Sequence, residues 1–247
     1  MSFFENTRKP VGLGGKLMVA MMNLGHTPVA TWGLEFLHLS PDAKVLDCGC
    51  GGGANIRTLL KKCPQGIVKG VDISDVSVTT ARRVNRSAIA DGRCAVWQGS
   101  VDELIFAADW FDAVTAFETV YFWPDLPKSF REIRRVLRPG GTLLICNECS
   151  GDAPGDEAWT KKIAGMRIYP AAELQRLAVE LLEVLRLRGL GHIIDQITVL
   201  AHKITSLRLW GICLDFCRRL CFTVVRKVTS GPWIETKVSF SINVTLV

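Results

Sequence analysis

The sequence predicts an α/β chain: a doubly wound, mostly parallel sheet in three α/β/α layers, followed by an atypical C-terminal segment. Three observations predict it. Short apolar, strand-like runs alternate with helical patterns from about residue 43 to 150, the order that builds a parallel sheet covered on both faces. The first run ends in Asp47-Cys48 and opens into a turn, Gly49-Cys50-Gly51-Gly52-Gly53, with almost no side chains. The second run ends in an acid, Asp72. Sheets of this kind bind ligands at the carboxyl ends of their strands, and both features fall there.

The elements follow in order. Residues 1–40 form an amphipathic helical cap, broken at Gly25-His26. "AKVLDC" is the first strand and "ANIRTLLKKC" the first helix behind it, with Ile56, Leu59 and Leu60 on one face. "GIVKGVDIS" is the second strand. "DVSVTTARRVNRSAIADG" is one helix, capped by Ser74 and ended by Gly92. "CAVWQGS" and "FDAVTAFET" are the third and fourth strands. "SFREIRRVLRPGG" is a helix stopped by Pro139 and Gly140, and "TLLICNE" is the fifth strand. Residues 151–170 read as a loop and a helix follows from Ala171. The chain divides into the cap (1–40), a cofactor-binding domain (41–179) and a diverged segment (180–247).

Composition excludes several classes. The 247 residues are 48% hydrophobic and 22% charged, an ordinary globular balance. The formal charge of +6 is spread thinly, so no nucleic-acid partner is expected. The N-terminus lacks the layout of a signal peptide. No uncharged apolar run of about 18 residues exists, so no membrane span is expected. Nine irregularly spaced cysteines fit reduced thiols and a cytoplasmic location. Cys146-Asn-Glu-Cys149 has no second pair to complete a zinc set, and Cys213, Cys217 and Cys221 read as packing residues on a helix face. No metal is expected.

The turn fits two ligand classes. Gly49-x-Gly51-x-x-Ala54 is a dinucleotide fingerprint. Asp47-x-Gly49-x-Gly51-x-Gly53 is the first motif of the S-adenosylmethionine enzymes. Three features favour the second. A carboxylate just before the first glycine repels a pyrophosphate but favours an ammonium or sulfonium. "QGSVDELIF" after the third strand suits an adenine edge. "FDAV" and the later "VLRPGGTLLI" pair a fourth strand with an Arg-Pro-Gly-Gly turn before the fifth. These choices disfavour an NAD(P)-linked oxidoreductase.

Seven segments in order, "NLGHTPVATWGLEFL", "VLDCGCGGGANI", "GVDIS", "WQGSV", "FDAVTAFETVYFWPDL", "VLRPGGTLLICNE" and "WTKKIAGMRIY", resemble the class I S-adenosylmethionine-dependent methyltransferases with their Rossmann-like fold. Within them the segments resemble the group near the quinone-biosynthesis C-methyltransferases. The resemblance implies S-adenosylmethionine as cofactor and a small-molecule methyl acceptor, flat or aromatic. It implies that Asp47, Gly49, Gly51 and Gly53 hold the methionine part, that Asp72 and Ile73 meet the ribose and adenine, and that Gly99, Ser100 and Val101 surround the adenine. Glu118 would face donor and acceptor, with Tyr121, Phe122 and Trp123 as aromatic walls. Met166 and Tyr169 would cover the site, and His26 and Trp32 lie in the cap. Glu118, Tyr121 and His26 are the candidate bases. A non-catalytic S-adenosylmethionine-binding or regulatory protein, using its tail for partner contacts, is the alternative. No "NPPY"-type run follows the fourth strand, which argues against amino-group methylation of nucleic acid.

The resemblance fades after about Ala178. "RRLCFTVVRK" (218–227) is a candidate last strand, with 180–217 an inserted helical piece; otherwise the tail does not complete the sheet. The β-branched end, 227–247, is suited to edge pairing or to homo-oligomerisation.

Overall fold

The computed structural model describes residues 3–149, 151, 155–178 and 196–201. A 3-10 turn, Phe3–Thr7, leads into α1 (Gly12–Gly25) and α2 (Thr27–Glu35), which meet at His26. Then come β1 (Lys44–Cys48), α3 (Ala54–Lys62), β2 (Ile67–Asp72), α4 (Asp75–Val84), α5 (Arg86–Ala90) and β3 (Cys94–Gln98). They are followed by β4 (Phe111–Phe117), a 3-10 turn Val120–Phe122, α6 (Leu126–Val136), β5 (Leu137–Asn147), α7 (Asp156–Lys162) and β6 (Gln196–Ala201).

The sheet order is β3-β2-β1-β4-β5-β6, and every pairing is parallel. The chain winds outward one way through β1, β2 and β3, then the other way from β4. The reversal between β1 and β4 leaves a crevice at their carboxyl ends.

Side chains alternate across each strand, so two cores form. Val45, Val68, Ala113 and Leu144 pack beneath α2, α3 and α4. Leu46, Val71, Val114 and Ile145 pack beneath α6 and the helical residues 171–178. This is the expected three-layer α/β/α arrangement. Ser74 caps α4 as expected, accepting from the Ser77 N–H at 3.2 Å, and Asp125 caps α6. Ser74 also donates to the Pro10 carbonyl at 2.7 Å, tying the N-terminal segment to the sheet.

Three element readings change. The helix expected over 75–92 breaks at Asn85, whose side chain donates to the carbonyls of Gly53 and Ala81 at 3.0 Å. Satisfying the glycine turn outweighs continuing the helix. The stretch read as a loop contains α7. Residues 196–201, placed in a helical insertion, instead form β6, parallel to β5; their run Gln-Ile-Thr-Val-Leu-Ala has strand character. The candidate strand at 218–227, the cysteines at 213, 217 and 221, and the end 227–247 lie outside the described residues.

Candidate functional site

A cavity opens at the carboxyl ends of β1, β2 and β4, roofed by the N-terminal segment. Its floor is the glycine turn. Gly49, Gly51 and Gly53 adopt φ of +72°, +50° and +79°, conformations that side chains with a Cβ resist. Each glycine has a distinct reason. A Cβ on Gly49 would run into Thr119, coming within 2.6 Å of its Cβ. One on Gly53 would come within 2.8 Å of the Ala81 Cα. Around Gly51 there is open space, since a Cβ there would meet nothing within 4 Å. The turn thus clears room for a ligand over Gly51. Gly49→Ala is expected to lower stability by about 1–3 kcal/mol, from the left-handed backbone and the forced shift of Thr119. A urea titration checks this; an unchanged midpoint would contradict it.

Asp72, at the end of β2, lines the cavity. Its Oδ2 accepts from the Gly51 N–H at 2.9 Å and its Oδ1 from the Ser74 N–H at 2.8 Å. Burial raises its pKa, opposed by these hydrogen bonds. The Ser77 side chain also hydrogen-bonds this carboxylate, whose remaining acceptor capacity can take a ligand hydroxyl. Ile73, Gly99, Ser100 and Val101 also line the cavity, and Gly99 is held by its N–H to the Asp72 carbonyl at 3.0 Å. The Ser100 hydroxyl donates to Asp102.

Asp47 and Gly53 are not among the lining residues. Asp47 is fully buried behind the turn, where its Oδ1 accepts from the Thr115 hydroxyl at 2.8 Å. Burial pushes its pKa up to about 7. Its Oδ2 has no donor among the described residues. An orphaned buried carboxylate oxygen beneath an open turn suits a cationic ligand group above it and opposes a pyrophosphate. The site therefore fits the cofactor implied by the resemblance.

The cavity also meets a cluster of three titratable side chains. His26, at the α1–α2 break, and Glu118, just past β4, line the cavity, and Glu148 follows β5. One ligand-type atom from each lies within 4.8 Å of the other two. Glu118 has φ +57°, a left-handed conformation uncommon outside glycine, and such strain gathers at functional sites. It is anchored by its N–H to the Cys146 carbonyl at 3.0 Å, and its carboxylate accepts from the Glu148 N–H. Burial, and then the nearby Glu148 carboxylate, hold the Glu118 pKa well above the ordinary range. Burial lowers that of His26, opposed by Glu148.

Tyr121, the third candidate base, does not line the cavity. It is buried, its hydroxyl accepts from the Cys149 N–H at 2.8 Å, and it hydrogen-bonds the Glu118 carboxyl. It positions Glu118 instead of facing a ligand. Phe122 and Trp123 do line the cavity, with Phe117. Trp32 packs edge-on against Phe36, and Tyr169 packs on the α6-side core, so neither reaches the site. Met166 does not line it either; its neighbour Arg167 donates its N–H to the Tyr121 carbonyl at 2.9 Å. Cys146 and Cys149 are free thiols.

Sequence reasoning missed Glu148, Asn23, Thr7, Arg8 and Pro10. Glu148 carried a signal, since it is an acid at a strand's carboxyl end like Asp72 and Glu118. Asn23 carried none. It comes to the site because Gly52 has no side chain; a Cβ there would lie 2.6 Å from the Asn23 Oδ1.

Comparison with known proteins agrees with this geometry. Residues 46–145 match the model of a family described as a methyltransferase domain. The chain is 32% identical over 155 residues to a cycloartenol-C-24-methyltransferase of Arabidopsis thaliana, covering 62% of this chain and 46% of the relative. It is 37% identical over 113 residues to the methyltransferase GfsG of Streptomyces halstedii, covering 46% of this chain and 40% of the relative. The chain thus spans under half the length of these curated relatives. Among solved structures, it is similar to a chain of the complex between the Haloferax volcanii Trm112 methyltransferase activator and a methyltransferase. That likeness has a TM-score of 0.63, 24% identity, and covers 68% of this chain and 73% of the other. Geranyl diphosphate methyltransferase, solved with geranyl diphosphate and sinefungin, gives a TM-score of 0.55 at 21% identity, covering 62% and 58%. These structural likenesses concern the fold.

Proposed function

We propose that the chain, whose residues 46–145 match a methyltransferase-domain family, is a class I S-adenosylmethionine-dependent methyltransferase that methylates a small, apolar acceptor at the cavity between β1 and β4. The observation that carries this is the open space over Gly51 in a cavity that Asp72, His26 and Glu118 line together, with Glu148 clustered against the last two. Asp72 suits a nucleoside, and the cluster suits an acceptor that must lose a proton.

The cofactor supplies an electrophilic methyl carbon attached to a sulfonium that leaves readily. What remains for the protein is placement, exclusion of water and handling of a proton. The N-terminal segment roofs the cavity through Thr7, Pro10, Met22 and Asn23. Phe117, Phe122 and Trp123 supply apolar walls, which favour a flat or apolar acceptor and attract a sulfonium through their ring faces. The names of the sequence relatives include sterols, acceptors of that kind. The quinone-biosynthesis group remains an expectation about acceptor type. His26 is held neutral by burial, so it accepts the acceptor's proton, and the nearby Glu148 carboxylate stabilises the imidazolium formed.

Calorimetric titration with S-adenosylmethionine and S-adenosylhomocysteine, with NADH as control, tests the reading. Binding of both sulfur nucleotides and not of NADH is expected. Asp72→Ala should weaken that binding by about 1–3 kcal/mol, roughly 5- to 150-fold in Kd. Failure of the folded chain to bind either sulfur nucleotide would sink the proposal, and an unchanged Kd in the variant would remove Asp72 from the site.

A further inference from the structure

Helix α1 is apolar on both of its faces. Gly15, Met18 and Val19 are buried, and Met22 lines the cavity. On the opposite side Leu13 is 83% exposed, Leu17 39% and Leu24 75%, with Ala20 exposed between them. At 3.6 residues per turn, positions 13, 17, 20 and 24 fall in one narrow stripe. Among the described residues, five large hydrophobic side chains are exposed; these three leucines and Val11, which precedes the helix, are four of them. A helix that is apolar all round normally has cover on both sides.

The charge around the stripe selects its cover. Between Glu5 and Glu35 there is no carboxylate, while Arg8, Lys9 and Lys16 are all exposed. A second copy of the same face would bring these cations together. The C-terminal stretch 202–247 carries seven Lys/Arg against two Asp/Glu, so that stretch's net charge opposes a basic rim, and 179–195, with three Asp/Glu against two Lys/Arg, is near neutral. An anionic surface with an apolar interior complements both features. No helix among the described residues is long and apolar enough to cross a membrane.

We propose that α1 docks the protein on an anionic lipid bilayer, with Leu13, Leu17 and Leu24 inserted at the headgroup boundary and Lys9 and Lys16 against the lipid phosphates. The inward side of the same helix contributes Met22 and Asn23 to the cavity, so docking brings the cavity roof against the membrane, where an apolar acceptor would be dissolved. The docking surface itself rests on exposure and charge and stands apart from the proposed chemistry.

Flotation of the full chain with phosphatidylcholine vesicles, with and without phosphatidylglycerol, tests it. Binding to the phosphatidylglycerol vesicles is expected, weaker binding to the neutral ones, and loss as salt is raised. Leu13→Glu with Leu24→Glu should reduce the partition coefficient by about tenfold or more. The variant's thermal unfolding and S-adenosylhomocysteine affinity should remain as in the parent, showing that fold and cavity are intact. Lys9→Glu with Lys16→Glu should weaken binding only to the anionic vesicles. Absence of vesicle binding would overturn the proposal. So would binding unaffected by the leucine variant, which would place the contact elsewhere, or a dimer in sedimentation that the leucine variant dissociates, which would assign the stripe to a second copy.

Discussion

Replacing His26 by Ala is expected to lower kcat by about 10²- to 10⁴-fold for an acceptor that must lose a proton, while S-adenosylhomocysteine binding persists. His26 lines the cavity beside Glu118, at the break between α1 and α2, and the proposed function places it on the acceptor side. An effect on kcat with the cofactor Kd preserved marks an interaction made in the transition state. The pH profile adds an independent readout. Burial holds the His26 pKa below 6.5, so its neutral, proton-accepting form persists to lower pH than for an ordinary histidine. The rising limb of kcat should fall below pH 6.5 and disappear in His26→Ala. A variant with undiminished kcat, or with the limb intact, would remove His26 from proton transfer. The same loss accompanied by lost cofactor binding would mean that the variant disturbs the α1–α2 roof.

The second large effect concerns Asp47. Its pKa rises from 3.8 to about 7 in the folded chain, chiefly through burial. Below about pH 4 the carboxyl is protonated both folded and unfolded, and it costs nothing. As pH rises toward 7 the unfolded chain gives up this proton and the folded chain keeps it, so stability falls. Above about 7 both are ionised and the cost is complete, roughly 4 kcal/mol from the separation of the two pKa values. Asp47→Asn keeps an oxygen for the Thr115 hydroxyl and removes the charge. It should therefore gain stability over the parent by several kcal/mol more at pH 8 than at pH 4, as read by urea titrations at both. A difference independent of pH would show that Asp47 ionises normally in the fold.

The parallel order of strands, the glycine turn and Asp72 at its strand end were legible in the sequence because each has a local cause. A strand buried on both faces reads as an apolar run, and a turn with positive φ demands glycine. Ser74 as a cap is equally local. The break in the helix at Asn85 was not legible, because it depends on a carbonyl of Gly53 that is 32 residues away. Strand β6 was missed in the opposite sense. Its partner β5 lies about 50 residues back, past a region without family-like signals.

The site divides in the same way. Ile73, Gly99, Ser100 and Val101 reach the cavity where their motif implied, since a strand end and its following turn carry them there. Asp47 has the right spacing, yet the structure sets it behind the turn, and strand alternation with Thr115 on the neighbouring β4 decides that. Tyr121 and Phe122 are adjacent in sequence and end on different sides, one supporting Glu118 and the other lining the cavity. The sequence by itself determined the parallel strands β1 to β5, the crevice at their carboxyl ends and the glycine turn with Asp72, because those follow from periodicity and backbone conformation. Only the tertiary structure decided that His26 and Glu118 stand together with Glu148, because the three come from distant segments. What brings them together is the packing of α2 against β5, where Gly33 lies so close to Cys146 that a Cβ would be 2.7 Å from its Sγ.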